Sequence, residues 1–184
     1  MTRRSTLTEG DLAYQIQTHL LYELRWLIYA ADAFQHAIQR ANDDSYMAYL
    51  DSAAIHARNL LQWAGDSATH QFSLGALGGK TAKLKDWERW VNNRVAHMSL
   101  REHEKARWPE GYEAWNRPDK LMRMAKVVLD RLRDGSVGIR QGKAGDAYKA
   151  VLASAENYWG QPTQTNCRAL IDLHDGSRDQ PYPK

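Results

Sequence analysis

A chain of 184 residues, 43% hydrophobic and 26% charged, has the length of one domain and enough apolar side chain for one core. Those figures exclude a multidomain machine and global disorder. The formal net charge is only +3, but it is unevenly spread. Residues 1–79 hold five Lys/Arg against eight Asp/Glu, residues 80–133 fourteen against eight, and residues 134–184 six of each. The middle third is therefore where a polyanion is attracted most strongly, if its cations share a face. The longest apolar stretch, around Leu20 to Phe34, is broken by Glu23, Arg25 and Asp32. A membrane span needs about 20 mostly apolar residues, so no membrane partner is expected. Met1-Thr-Arg-Arg is not followed by the apolar run of about 7–15 residues of a secretory signal, which makes a cytoplasmic location the expectation. Cys167 is the single cysteine, which forbids an intrachain disulfide and any multi-cysteine zinc site.

Apolar spacing predicts helices in chain order. Ile16, Leu20, Leu24, Leu27, Ile28, Ala31, Phe34 and Ile38 recur at three- and four-residue steps, which predicts a first helix over 11–41 with Thr8 and Asp11 as its capping start. Its aromatics Tyr14, Tyr22, Trp26 and Tyr29 are assigned to the core, with a dimer seam as the competing assignment. A second helix follows Asp43-Asp44, carries Met47, Leu50, Ala54, Ala57 and Leu61 on one stripe, and stops at Gly65. A third spans 83–104 with Trp87, Val91, Val95 and Met98 on its apolar face. A fourth opens at Pro118-Asp119, follows Leu121, Ala125, Val128 and Leu132, and closes on Arg131, Arg133 and Gly135. The aromatics of the two long loops, Gly65–Thr81 and Lys105–Arg117, are expected to plug the bundle's end. Ala147, Val151, Ala155 and Tyr158 suggest a short fifth helix, and Pro, Gly, Ser and Gln dominate from Gly160 onward. The expected fold is all-α, an up-and-down bundle of four to five helices over 1–135, with a short helix and a loosely ordered C-terminal tail over 136–184.

The segment Gly75-Ala-Leu-Gly-Gly-Lys-Thr81 ends like a Walker A phosphate loop, but the first glycine would have to stand where Leu74 is. A flexible connector is the expectation. Seven histidines contain no His-Glu-x-x-His and no Glu-x-x-His pair, so neither metal nor cofactor is expected.

The third helix carries the most chemistry. At about 100° per residue, Asn93, Arg94 and Arg101 fall within about 60° of His97 around it. A neutral imidazole can take a proton from a ribose 2′-hydroxyl, guanidinium groups can hold the phosphate, and an amide can orient either partner. The set suits metal-independent RNA cleavage. It also suits a boundary histidine bonded to a carbonyl or carboxylate.

Three segments, Asn92-Asn-Arg-Val-Ala-His97, Ala57-Arg-Asn-Leu-Leu61 and His19-Leu-Leu-Tyr-Glu-Leu24, resemble the HEPN superfamily of helical-bundle proteins of bacterial defence and toxin–antitoxin systems over roughly residues 12–134. Many members are metal-independent RNases with an arginine, usually a polar residue after it, and a histidine beyond four to six intervening residues. The resemblance implies an RNA partner, a homodimer with both motifs facing one cleft, and an antitoxin or other protein partner. It assigns the histidine to His97 and the polar residue to Asn93, but the arginine position holds Asn92, which brings no positive charge to a phosphate. Arg89 and Arg94 miss the spacing; Arg94, Arg58 and Arg101 are the candidates to replace it. The expected catalytic set is His97, Asn93 and Arg94, with Asn92, Arg101, Arg58 and Arg89 contacting RNA. The competing expectation is a non-catalytic helical module that binds a nucleic acid or a partner protein.

Overall fold

A computed structural model describes residues 7–37, 46–65, 72–96 and 120–159. Among them the regular structure is entirely helical: α1 (Glu9–Gln15), a π-helical segment (Ile16–Leu20), α2 (Leu21–Ala37), α3 (Tyr46–Gly65), α4 (Lys85–Ala96), α5 (Lys120–Gly135) and α6 (Lys143–Trp159). The all-α bundle is thus what the periodicity predicts. α1, the π segment and α2 form one continuous rod, so the described residues make five helical rods.

The rod begins at Glu9 because Thr8 and Asp11 close a capping box. Asp11 N–H donates to Thr8 Oγ1 at 3.1 Å, and Thr8 N–H donates to Asp11 Oδ2 at 2.9 Å. The Thr18 hydroxyl then donates to the Tyr14 carbonyl at 2.7 Å, and Leu21 N–H reaches back to the Ile16 carbonyl, five residues earlier. That wide turn inserts about one extra residue into the helix and rotates α2 relative to α1 about their common axis. Ile16, Leu20, Leu24, Leu27, Ile28, Ala31 and Phe34 are all buried, as their spacing predicts, while Ile38 lies outside the described residues. Tyr14 and Tyr22 do not join them; they are 60% and 47% exposed, which overturns their assignment to the core. Trp26 and Tyr29 are half-buried.

α2 and α3 run antiparallel, with Glu23 beside His56, Tyr29 beside Tyr49 and Phe34 beside Tyr46. α3 packs against α2, α4 and α5, so its buried face is wider than one stripe. Ala53, Leu60 and Ala64 join Leu50, Ala54, Ala57 and Leu61 inside. Met47 is 41% exposed instead of buried, because neighbouring Tyr46 takes the place against Phe34. α4 buries Trp87, Trp90 and Val91, and Trp90 is an addition to the expected stripe. The expected continuation of this helix to residue 104, with Met98, lies outside the described residues, as do the aromatics of 105–117. α5 buries Leu121, Ala125, Val128 and Leu132 as expected, with Met124 beside them.

Two places depart from expectation for a shared reason. The Gly75–Thr81 segment is not a loose connector: Leu74 and Leu77 are buried, Gly79 N–H donates to the Leu74 carbonyl at 2.9 Å, and Lys80 N–H donates to the Gly135 carbonyl at 3.2 Å. Buried Arg131 does not cap its own helix; its Nε donates to the Ala82 carbonyl at 3.1 Å and its Nη2 to the Lys80 carbonyl at 2.6 Å. Backbone carbonyls of an otherwise solvated loop thus gain a charged donor, which holds the loop under the end of α5. Gly79 is needed there, since a Cβ would meet Leu74 Cδ1 and stand 2.7 Å from the Gly135 carbonyl oxygen.

α6 is a 17-residue helix built into the same core as the rest. Ala147, Val151 and Ala155 are buried and Tyr158 is half-buried. Tyr148, fully buried, donates its hydroxyl to the Leu132 carbonyl of α5 at 2.7 Å. At the other end of the chain, Glu9 Oε2 accepts the Ala144 N–H at 3.2 Å, so a carboxylate of α1 caps the start of α6. Residues 160–184, expected as a tail, lie outside the described residues.

Candidate nucleic-acid interface

Charge on the surface is divided by element. From Tyr14 to Gly65, no exposed residue among those described is Asp, Glu, Lys or Arg. From Phe72 to Trp159, the exposed described residues include ten Lys/Arg (Lys80, Lys83, Lys85, Arg89, Arg123, Lys126, Arg133, Arg140, Lys143, Lys149) against four acids (Asp86, Asp134, Asp146, Glu156). Several of these cations have intramolecular partners. Lys126 Nζ lies 3.1 Å from Asp130 Oδ2, and Arg133 donates to Glu156 Oε1 at 2.7 Å and to Asp130 Oδ1 at 3.0 Å. Around Arg133 these carboxylates raise the guanidinium's affinity for its proton, Glu156 chiefly. Among the described residues, no carboxylate forms an ion pair with Lys80, Lys83, Lys85 or Arg89.

The fold explains why those four share a region. Trp87, Trp90 and Val91 turn inward toward α3, which leaves Lys85 and Arg89 outward on α4. The Arg131 clamp fixes Lys80 and Ala82 directly ahead of this helix. The result is a run of exposed cations leading into the helix that carries the sequence motif, suited to contact successive phosphates.

The expected site residues are divided between α3 and α4. Arg89 is exposed and Asn92 half-buried on α4; Asn93 and Arg94 form part of that helix's last turn; Arg58 is half-buried on α3, which packs against α4. His97 and Arg101 lie outside the described residues. Arg58 and His56 point in different directions, as a separation of two residues on a helix requires. His56 turns to α2, whereas the Arg58 Nε is buried with no hydrogen-bond partner among the described residues.

A second constellation was not expected from sequence. His56 Nδ1 donates to Glu23 Oε2 at 2.7 Å, and Asn59 Nδ2 donates to Glu23 Oε1 at 3.1 Å. The Trp26 ring lies over His56 at 6.2 Å between centroids and 15° from parallel, while Tyr22 meets it edge-on at 5.7 Å. The carboxylate fixes the imidazole's orientation and tautomer, the arrangement found where histidines work as acid–base groups and where they simply tie two helices. Here the imidazole is walled in by Trp26 and Tyr22, and its side chain keeps 12% of its surface accessible. We assign it to joining α2 and α3. The signal in the sequence was the pair Glu23 and His56 at one level of an antiparallel hairpin, which becomes readable only once the register is known. Among the described residues, no three His, Cys, Asp or Glu side chains gather as a metal site would require. No described helix is long and apolar enough to cross a membrane.

Comparison with protein-family models, with characterised proteins and with solved structures finds no match to this chain.

Proposed function

We propose that the chain is a HEPN-like RNA-binding protein that uses the cationic side formed by Lys80, Lys83, Lys85 and Arg89, with a stress or phage-defence role implied by the resemblance alone. One observation carries the reading: among the described residues, exposed cations outnumber exposed acids ten to four over Phe72–Trp159, whereas the exposed charges of α1–α3 are the two acids Glu9 and Asp11. A polyanion is attracted to the first surface and not to the second. In the catalytic form of the proposal, His97 is the general acid/base: it takes a proton from the ribose 2′-hydroxyl, that oxygen attacks the adjacent phosphorus, and the P–O5′ bond breaks as the proton passes from His97 to the departing 5′-oxygen, leaving a 2′,3′-cyclic phosphate and a 5′-hydroxyl end. Arg94 and Arg101 steady the phosphate, Asn93 orients His97 or the scissile group, and Asn92, Arg58 and Arg89 hold RNA.

A second reading is a non-catalytic binding module. Asn92 favours it, because the position that should bring a guanidinium to the phosphate brings a neutral amide. The test uses wild type and His97→Ala with end-labelled mixed RNA in EDTA, read as product ends and as binding at increasing salt. Cyclic phosphate ends that disappear in His97→Ala support the catalytic form. Binding that weakens steeply with salt, without cleavage, supports the module. Absence of RNA binding at low salt overturns the RNA reading, catalytic or not.

A further inference from the structure

We propose, independently of the RNA reading, that the outward face of α2 around Arg25 is the binding site for this chain's own segment Leu170-Ile-Asp-Leu173, with Asp172 paired to the Arg25 guanidinium and the aliphatic side chains set against Tyr22 and Trp26.

The seat lies where α6 stops. α6 runs beside the rod and in the same direction, from Ala144 on Glu9 to Tyr158 under Arg25, and ends at Trp159. From Arg25, α2 continues to Ala37, about 18 Å farther at about 1.5 Å per residue. At about 100° per residue, Tyr22, Arg25, Trp26 and Tyr29 share an arc of about 100° that faces away from the buried Leu24, Leu27 and Ile28. Tyr22 is exposed, and Trp26 and Trp159 are half-buried, so apolar ring surface borders Arg25 on the outside of the helix.

Arg25 sets the chemistry of this face. Its guanidinium lies 4.7 Å from the centroid of the Tyr158 ring, which orients the cation without neutralising it. Its Nε is buried with no hydrogen-bond partner, and no carboxylate among the described residues pairs with it. The neighbouring acids of α2 are engaged elsewhere, Glu23 with His56 and Asn59, and Asp32 with His36 at 3.6 Å. A half-buried cation held in one orientation beside ring surface is suited to a carboxylate flanked by aliphatic side chains, because the pair satisfies the charge while the flanks cover the rings.

The chain supplies such a group at short range. It leaves the described residues at Trp159, next to the Arg25–Tyr158 contact. Residues 160–169 contain no acid and one cation, Arg168; Asp172 then stands among Leu170, Ile171 and Leu173. The ten residues 160–169 can span up to about 33–36 Å when extended, more than the remaining length of α2. A tether of this kind presents the segment at an effective concentration of about millimolar, so one ion pair and a few aliphatic contacts are enough to seat it.

Cys167, the single cysteine, stands just before the segment and takes a nitroxide in the full chain. The readout is paramagnetic loss of amide signals, with circular dichroism confirming the helices. The expected result is a loss centred on Tyr22, Arg25 and Trp26 that disappears when the nitroxide is reduced. Leu170→Asp with Ile171→Asp should abolish it. Arg25→Glu and Asp172→Lys should each lower the docked population about two- to fivefold, and the two together should restore it. If Arg25→Glu fails to fold, Asp172→Lys decides, since it leaves every described contact in place. A loss spread along the bundle without a centre, a loss centred on the cations of α4, or a loss unchanged by Leu170→Asp with Ile171→Asp overturns the proposal, and an Asp172→Lys chain that docks like wild type overturns the pairing with Arg25. An equal loss in isotope-labelled chain without nitroxide, mixed with nitroxide-bearing chain, also overturns it, because the occupant is then a second copy.

Discussion

Glu23 of α2 accepts from two residues of α3 at once, the His56 imidazole at 2.7 Å and the Asn59 amide at 3.1 Å. The two acceptor oxygens of one carboxylate therefore fix the register of the antiparallel pair together with the Tyr29–Tyr49 and Phe34–Tyr46 ring contacts. Glu23→Ala should cost about 1–3 kcal/mol, since it leaves a half-buried imidazole donor without its partner. His56→Ala should cost a comparable amount, and the double variant clearly less than the sum. Urea unfolding of the four proteins measures this. Strict additivity would show that the two side chains are neighbours without energetic consequence.

Tyr148 supplies what the end of α5 lacks. Ser136 N–H turns back to the Arg133 carbonyl, so the Leu132 carbonyl receives the phenol hydroxyl instead. Tyr148→Phe should destabilise by about 1–2 kcal/mol by leaving a buried carbonyl unsatisfied. Burial also holds the phenol well above its usual pKa of 10.0, with Arg131 opposing weakly. The folded form therefore keeps its proton where the unfolded chain loses it. The stabilisation is complete below about pH 10 and is lost as pH rises further. Denaturation midpoints from pH 8 to 11.5 should fall in wild type, and fall less in Tyr148→Phe.

The opposite sign applies at the start of α1. Thr8, through its side chain and then its backbone N–H, holds the Asp11 carboxyl below its usual 3.8. The contribution is present above that value and disappears as pH falls through the lowered one. Amide exchange in the first turn of α1 should accelerate with acid in wild type. In Thr8→Ala it should be fast already at neutral pH, with little further response to acid. An identical response in both proteins would remove the capping box from the account.

Among the described residues, the five helical rods and most of the buried stripes were legible from three- and four-residue spacing, Met47 excepted, and the α1 cap from Thr8 and Asp11, because spacing reports which face of a helix meets a core. What it could not report is the π-helical turn and the contacts made far along the chain. Tyr14 and Tyr22 were assigned to the core by residue type, although each stands two residues, about 200°, from the buried Ile16, Leu20 and Leu24, and the π segment between them, tied to a Thr18 hydroxyl, changes only their angle to one another. Arg131 was readable only as a cation near a helix end, whereas its partners are the Lys80 and Ala82 carbonyls 51 and 49 residues away. Of the candidate site, Arg89 and Asn92 have defined surroundings on α4, while His97 and Arg101 lie outside the described residues. A motif's spacing states what a helix can present, and the surrounding charge states what will approach it.

That last relation makes Arg131 the link between fold and surface. It is 7% exposed and neutralised by no carboxylate among the described residues; its partners are two backbone carbonyls of the segment that carries Lys80 and Lys83. Arg131→Met should cost about 2–4 kcal/mol, because two carbonyls lose a charged donor and one side of the Leu74–Gly79 turn loses its anchor. Arg131→Lys should recover little of it, since one ammonium cannot reproduce the fork that reaches both carbonyls. Under the RNA proposal, loosening this clamp also spreads the cations ahead of α4. Binding should then weaken by a few fold at conditions where the variant is still folded, with a nearly unchanged salt slope, because Lys80, Lys83, Lys85 and Arg89 are all still present. Lys85→Glu with Arg89→Glu should instead leave stability nearly unchanged and reduce both affinity and salt slope. Denaturation midpoints and RNA binding at three salt concentrations separate the two. Equal salt slopes in all the variants would mean that RNA does not engage this side of the bundle.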